Sequence, residues 1–502
     1  MLQQSGLPFK YQATTTSGAT ALAGLPLYLE MMRVIGLRES VAQHMTGGSG
    51  PDGWQDADII SNLMLLNIAG GESVSDLELL RRDEGFCKLA RTVACHGLPR
   101  RQRREKERLL ARSGEVPLPS ASTVFRFLNS FHGVEQRGVR KQGEAVIVAE
   151  HARLRGLWQV NACMLAFMER NRPCESVTLD CDATLVPTHK AQALYGYKGE
   201  KAYQPLNFYV AEWGMVAYSE FRDGNVNCGY EQLAALQRAL DLLPAGVKKV
   251  QIRMDTQGYE WKLLRYLAEG KHERFGKMAF AIGADMSQEL KKEVAKLPKN
   301  AWRDLERKPG QVAQQWAEVP FVPDASAMRR NGPLYRFVVT REVLVQQPLP
   351  GIQLQLPFQT MEFGGIGHCI LHAIVTNRTL AAPELIAWYR GRCGKSEEAH
   401  SVMKSDLAGG RLPSGAFGAN AAWWTIMLMS LNLNELLKRL AMGDAWITKR
   451  FKAIRAHVIC VAARVVEHAR QVVVRLSEGH RSSAFIEELR QRILALEAAP
   501  TG

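Results

Sequence analysis

The chain contains no CxxC pair, no internal repeat, no low-complexity tract and no uninterrupted apolar run of membrane-spanning length. Its nine cysteines are scattered and odd in number. That pattern argues against a disulfide framework and for reduced thiols in a cytosol. The one tempting zinc cluster, His368, Cys369 and His372, lies in an apolar, β-like stretch where such residues are expected to pack. A spanning helix needs about 18–20 apolar residues. The segment Trp423 to Met429 is mostly apolar but short, and is expected to be a buried helix. The first residues, Met1 to Gln12, lack a charged stretch followed by an apolar one, so no secretory signal is expected.

Negative charge is also short. Asp and Glu number 50 against 64 Lys and Arg, a net charge of +14. Such a surplus suits a polyanionic partner, and DNA or RNA leads the candidates. Its placement is uneven: residues 436–502 carry twelve Lys/Arg against six Asp/Glu. The stretch Arg100 to Arg112 adds seven basic residues. The remaining composition, 46% hydrophobic and 23% charged over 502 residues, is that of a globular protein of two to four units.

Residues 1–170 are expected to be mainly helical, and a basic helical unit of this kind fits DNA binding as well as a plain helical bundle. Ile59 to Ile68 is an apolar helix stopped by Gly70 and Gly71, and Ser73 and Ser120 are good N-caps. The character changes near Pro173. Val177–Val186, Asn207–Ala211, Val216–Phe221 and Val247–Met254 are strand-like, with helices expected at Tyr230–Leu243 and Gly258–Leu267. This β-β-β-α-β-α order predicts a mixed α/β layer. A strand-rich stretch follows at about 275–380, with strands at Met278–Ile282, Gln315–Val319, Tyr335–Thr340, Ile352–Leu356 and His368–Thr376. Helix resumes at Ala382. Residues 171–435 are therefore expected to be one α/β unit, and 436–502 a basic helical region.

Three acids stand out. Asp182 lies in a strand-like run, Asp255 directly follows one, and Glu397 sits in a helical stretch with Tyr389, Arg392 and Lys404. Carboxylates from neighbouring strands and a packing helix can converge, and hard oxygen ligands suit a pair of Mg²⁺ ions. Glu397, His400, Ser401 and Lys404 follow helical spacing. Tyr389, Arg392, Lys404 and Arg253 are candidate DNA contacts. Two alternates remain: Asp180, which shares a strand face with Asp182, and Glu398 beside Glu397. A plainer reading has Asp255 merely capping the next helix.

At these residues the chain resembles the bacterial insertion-sequence DDE transposases, in the branch described as transposase DDE domain group 1. The resemblance spans roughly 17–440 and rests on Gly70–Asp83, Leu118–Thr123, Leu179–Thr184, Tyr203–Leu206, Arg222–Asn225, Arg253–Tyr259 and the Tyr389/Arg392/Glu397/Lys404 cluster. Asp182-Ala183-Thr184 matches the family's Asp-x-Thr. Four residues, not the family's three, separate Arg392 from Glu397. The resemblance implies an RNase H-like catalytic domain with a strand-rich insertion at about 275–380, and two Mg²⁺ ions with Mn²⁺ as substitute. It implies cut-and-paste transposition by a cytoplasmic, nucleoid-associated homodimer on DNA, acting on terminal inverted repeats and target DNA. Two other readings are a non-catalytic DNA-binding descendant and an RNase H-like nuclease of replication or repair.

Overall fold

The computed structural model describes residues 17–45, 51–112, 116–136, 138–305, 314–323, 335–343, 360–363, 366–392, 395–468, 471–477 and 479–497. The expected strand at Ile352–Leu356 lies outside them. The N-terminal third is helical. Its helices include α1 (Asp56–Ala69), α2 (Arg100–Arg112) and α3 (Ala152–Asn171). Gly70 ends α1 in the left-handed conformation (φ 98°), which an L side chain resists. Ser73 and Asp76 form a reciprocal capping box, and Ser120 accepts from the Thr123 N–H.

Among the described residues, the centre is a ten-stranded sheet. Its first five strands are β1 (Ser176–Ala183), β2 (Leu206–Val210), β3 (Met215–Glu220), β4 (Lys249–Met254) and β5 (Ala279–Ala284). They lie side by side in the order β3-β2-β1-β4-β5. β1–β2 and β2–β3 are antiparallel, whereas β1–β4 and β4–β5 are parallel. Helix α4 (Gln232–Asp241) connects β3 to β4, and α5 (Trp261–Glu269) connects β4 to β5. A three-strand meander followed by two parallel strands, each reached through a helix, is the RNase H-like arrangement.

The strand-rich stretch does not stand apart. β5 belongs to the core sheet, so the added strands begin only after Ala284. They are β6 (Arg303–Asp304), β7 (Gln314–Val319), β8 (Arg336–Val343), β9 (Thr360–Phe363) and β10 (Gly367–Thr376). β10 pairs with β5, and β8, β7 and β6 extend the sheet outward. Three helices come next: α6 (Ala382–Arg390), α7 (Lys395–Ser401) and α8 (Phe417–Leu437). The C-terminal region, expected from its sequence to be helical, is only partly so. Ala463–His468 and Gln471–Leu476 form a hairpin that pairs with Ala19–Thr20. The final helix, Ser483–Glu497, returns to the N-terminal helix Pro26–Val34, where Arg33 grips Glu497 through two bonds of 2.7 and 2.8 Å. No helix among the described residues is long and apolar enough to cross a membrane.

All 21 residues of α8 are buried, which accounts for its apolar character on every side. Its polar groups are matched. Thr425 and Ser430 donate to carbonyls one turn back, and Asn434 accepts from the Tyr28 hydroxyl at 2.8 Å. Asn432 has the most consequential position, because β3 is the edge strand of the sheet. Its side chain accepts from the Val216 N–H and donates to the Val216 carbonyl, both at 2.8 Å. It also donates to Asn161 of α3, which itself donates to the Val216 and Ala217 carbonyls. Two helices thus satisfy an edge that would otherwise present bare backbone groups. Asn432→Ala strands these buried partners, so a urea titration should show a loss of roughly 2–4 kcal/mol. An unshifted midpoint would contradict the edge-sealing role.

Candidate active site

β1 and β4 run parallel, with Asp180 opposite Arg253 and Cys181 opposite Met254. The next residue on each is an aspartate. Asp182 and Asp255 therefore stand side by side at the carboxyl ends of adjacent strands, where open α/β sheets gather ligands. Both are half-buried. Burial pushes Asp182 up from 3.8 to about 7, and the charges of Asp255 and Glu397 push the same way against Arg392. Burial also raises Asp255, again opposed by Arg392. Asp255 does cap the following turn, accepting from the Gln257 N–H at 3.0 Å through Oδ1. The capping and site readings of this residue are compatible, since the cap uses one oxygen.

Asp180 and Arg253 behave differently from what the sequence suggests. Arg253 is buried and holds Asp180 through two bonds, Nε–Oδ1 at 2.6 Å and Nη2–Oδ2 at 2.8 Å. Its remaining Nη1 donates to the Trp388 carbonyl at 2.6 Å, near the end of α6. A guanidinium enclosed in this way has no face left for a DNA phosphate. The expectation of Arg253 as a DNA contact is therefore replaced by a structural one: it ties the sheet to α6. Both oxygens of the alternate Asp180 are committed to the same tie.

That tie fixes the course of the chain as it leaves α6. Gly391 packs so closely on Arg253 that a Cβ would lie 2.7 Å from Nη1. Arg392 is buried next to the aspartates, its Nη2 3.4 Å from Asp182 Oδ2. Tyr389 reaches the end of β5: a Cβ on Gly283 would stand 2.9 Å from its hydroxyl and equally close to the Thr256 N–H. Cys393 and Gly394 lie outside the described residues, so the extra residue between Arg392 and Glu397 has no structural account.

Glu397 and Glu398 are both exposed on α7. The charge of Glu397 acts on Asp182, whereas that of Glu398 acts on Tyr209 of β2. His400 reaches the sheet, its Nε2 3.4 Å from Asn207 Nδ2. Asn207 is opposite Asp182 in register and accepts from Ser219, which accepts from the Trp424 indole. Burial, with Lys404 and Arg392 nearby, lowers His400 to about 4, so its imidazole is neutral at physiological pH. Sequence reading missed Asn207 because only strand register reveals it. Lys404 departs from ideal spacing. A π-helical turn, Val402–Asp406, succeeds α7 and rotates it off the α-helical register. Its ammonium lies 3.5 Å from the Leu185 carbonyl, and burial lowers its pKa.

Among the described residues, no three His, Cys, Asp or Glu side chains form a group that could hold one metal ion. The two adjacent aspartates are hard donors whose buried charge a cation would stabilise, and in this respect they fit a divalent ion. Glu397 interacts electrostatically with Asp182 but does not complete a ligand cluster with the pair.

The family described as transposase DDE domain group 1 matches residues 13–498. The chain belongs to that family. No curated protein matches this DDE transposase. Among solved structures it is similar to a piggyBac transposase synaptic complex with hairpin DNA, at 11% identity and a TM-score of 0.33, over 94% of this chain and 91% of that one. A likeness of that size adds nothing to the site geometry.

The raised Asp182 pKa has a defined consequence for the transposase. Its folded-state value lies above the unfolded one, so the fold favours the protonated acid. The corresponding stability is fully present below about pH 4 and lost as pH rises to about 7. Denaturation in metal-free buffer across that window should show the unaltered protein losing stability relative to Asp182→Asn. Parallel profiles would contradict the assignment.

Proposed function

We propose that this transposase cuts DNA at transposon ends and joins the freed ends to target DNA, with Asp182, Asp255 and Glu397 as the residues that hold divalent metal. The adjacency of Asp182 and Asp255 at the ends of parallel strands carries this reading. Mg²⁺ is the proposed ion, two per site, with Mn²⁺ as substitute. When bound, the ions supply Lewis acidity that activates the attacking oxygen and stabilises the leaving one in an in-line displacement at phosphorus. The carboxylates serve as ligands and form no covalent bond to DNA.

The chain's own residues would do the rest. Arg392 lies close enough to the acids to offset their repulsion and to meet a phosphate oxygen. Tyr389, at the end of β5, and Lys404, on the π turn, are the other proposed phosphate contacts. Arg253, locked to Asp180 and the Trp388 carbonyl, positions the Tyr389–Arg392 segment. The wider scheme is cut-and-paste transposition by a cytoplasmic homodimer bound to terminal inverted repeats. Residues up to about 170 would serve DNA binding and dimerisation, 171–435 catalysis, and 436–502 further DNA contact.

Glu397's failure to complete a ligand cluster with the two aspartates favours one competing reading, a transposase descendant that binds DNA without cutting it. A cleavage and strand-transfer assay on end-repeat duplex separates the two. Mg²⁺-dependent cutting is expected, with Asp255→Asn lowering it by at least about a hundredfold, a loss that even supporting residues of metal sites can cause. Full activity in EDTA, or in Asp255→Asn, rules out the metal mechanism. Binding without any cutting supports the non-catalytic reading.

A further inference from the structure

The basic run from Arg100 to Arg112 looks uniform in sequence, but the structure sorts six of its seven basic residues, Arg100 to Arg108, into three groups. Lys106 faces inward. It pairs with Asp58 of α1, which Arg38 also holds at 2.6 Å, and its ammonium lies 5.0 Å from the centre of the Trp54 ring. Leu110, one turn on, is fully buried. These contacts seat α2 against the body of the protein. Arg101 and Arg103 pair with Glu105 and Glu107 one turn ahead, at 3.2 and 3.4 Å.

Arg100, Arg104 and Arg108 form the third group. They fall at i, i+4 and i+8, so they share one face of the helix. All three are exposed and, with Arg101 and Glu105, line one open concave surface. None of the three makes an ion pair among the described residues. Like charges at i, i+4 oppose helix formation, so the stripe is an electrostatic liability to the isolated helix. An external polyanion would reverse its sign. Four residues of α-helix rise about 6 Å, so the stripe presents evenly spaced guanidinium forks, each able to take two phosphate oxygens.

We infer that the Arg100/Arg104/Arg108 face of α2 is a contact for the DNA phosphate backbone, one that supplies affinity without reading bases. It rests on the proposed function only in taking DNA as the partner, and it lies on a different element from the acidic site. Contact with phosphates alone is independent of sequence and strongly dependent on salt.

The test is equilibrium binding by fluorescence anisotropy of the full chain in EDTA, across a series of potassium chloride concentrations. The probes are an end-repeat duplex and a scrambled duplex of the same length. In R100Q/R104Q/R108Q the slope of log affinity against log salt should fall by about 2.7, roughly 0.9 per lost contact, and affinity should fall roughly tenfold or more on both duplexes alike. Arg104→Gln alone should lower the slope by about 0.9, which keeps the question open to test if the triple variant folds poorly. Arg103→Gln, whose guanidinium is engaged with Glu107, should leave the slope unchanged. Unaltered slope and affinity in R100Q/R104Q/R108Q, while the unaltered chain binds DNA, overturn this inference and leave the proposed function standing. A loss confined to the end-repeat duplex overturns the backbone-only assignment. No DNA binding by the unaltered chain removes both.

Discussion

Two carboxylates confined side by side repel each other, and much of the surrounding structure answers that constraint. The parallel pairing of β1 and β4 brings Asp182 next to Asp255. Burial denies them the water that would screen them, and the pKa of each rises as a result. Such a pair destabilises a fold unless positive charge is held against it. Arg392 supplies that charge, and its position depends on the end of α6. The end of α6 depends in turn on Arg253, which is itself buried and compensated by Asp180. Two ion pairs, one fully buried and one partly so, thus act in series. The inner one is closed and structural. The outer one, with its acids at the mouth of the sheet, remains open to a change of charge.

Parts of this were legible in the sequence. Val177, Leu179 and Cys181 alternate with Thr178, Asp180 and Asp182, and a strand ending in an acid is visible in that pattern. The run Lys249–Met254 before Asp255 is equally plain, and two parallel strands separated by a helix bring their ends together almost by topology alone. Arg253 was not legible. Next to Asp255 it looks like a DNA contact, and only the register that sets it opposite Asp180 shows that its charge is spent internally. The spacing of Lys404 misled for a different reason: period counting assumes one helix type, and a π-helical turn intervenes. The C-terminal hairpin was missed although Val472, Val473 and Val474 are β-branched residues that favour a strand, because the basic segments around them read as helix; the strand that carries them pairs with Ala463–His468, whose other edge takes Ala19–Thr20 from the far end of the chain, a contact no local pattern reveals.

The strand-rich insertion separates Asp255 from Tyr389, Arg392 and Glu397 by more than a hundred residues of chain, and bringing the ends of so long a segment together carries an entropic cost. Here the return is pinned. β10 pairs with β5 from Ala373 to Thr376, so the last insertion strand re-enters the core sheet in fixed register. Thr376 donates its hydroxyl to the Phe280 carbonyl at 2.5 Å, and Asn377 bridges the Phe280 N–H and the Met278 carbonyl, both at 2.9 Å. Only a short link then leads to α6. The site consequently sees the insertion as a brief connection from the neighbouring strand, whatever lies between Ala284 and Gly367. Arg253, reaching from β4 to the far end of α6, fixes the remaining freedom of that helix. Sheet register at one end and a buried guanidinium at the other are enough to return Arg392 to the aspartates across so long a detour.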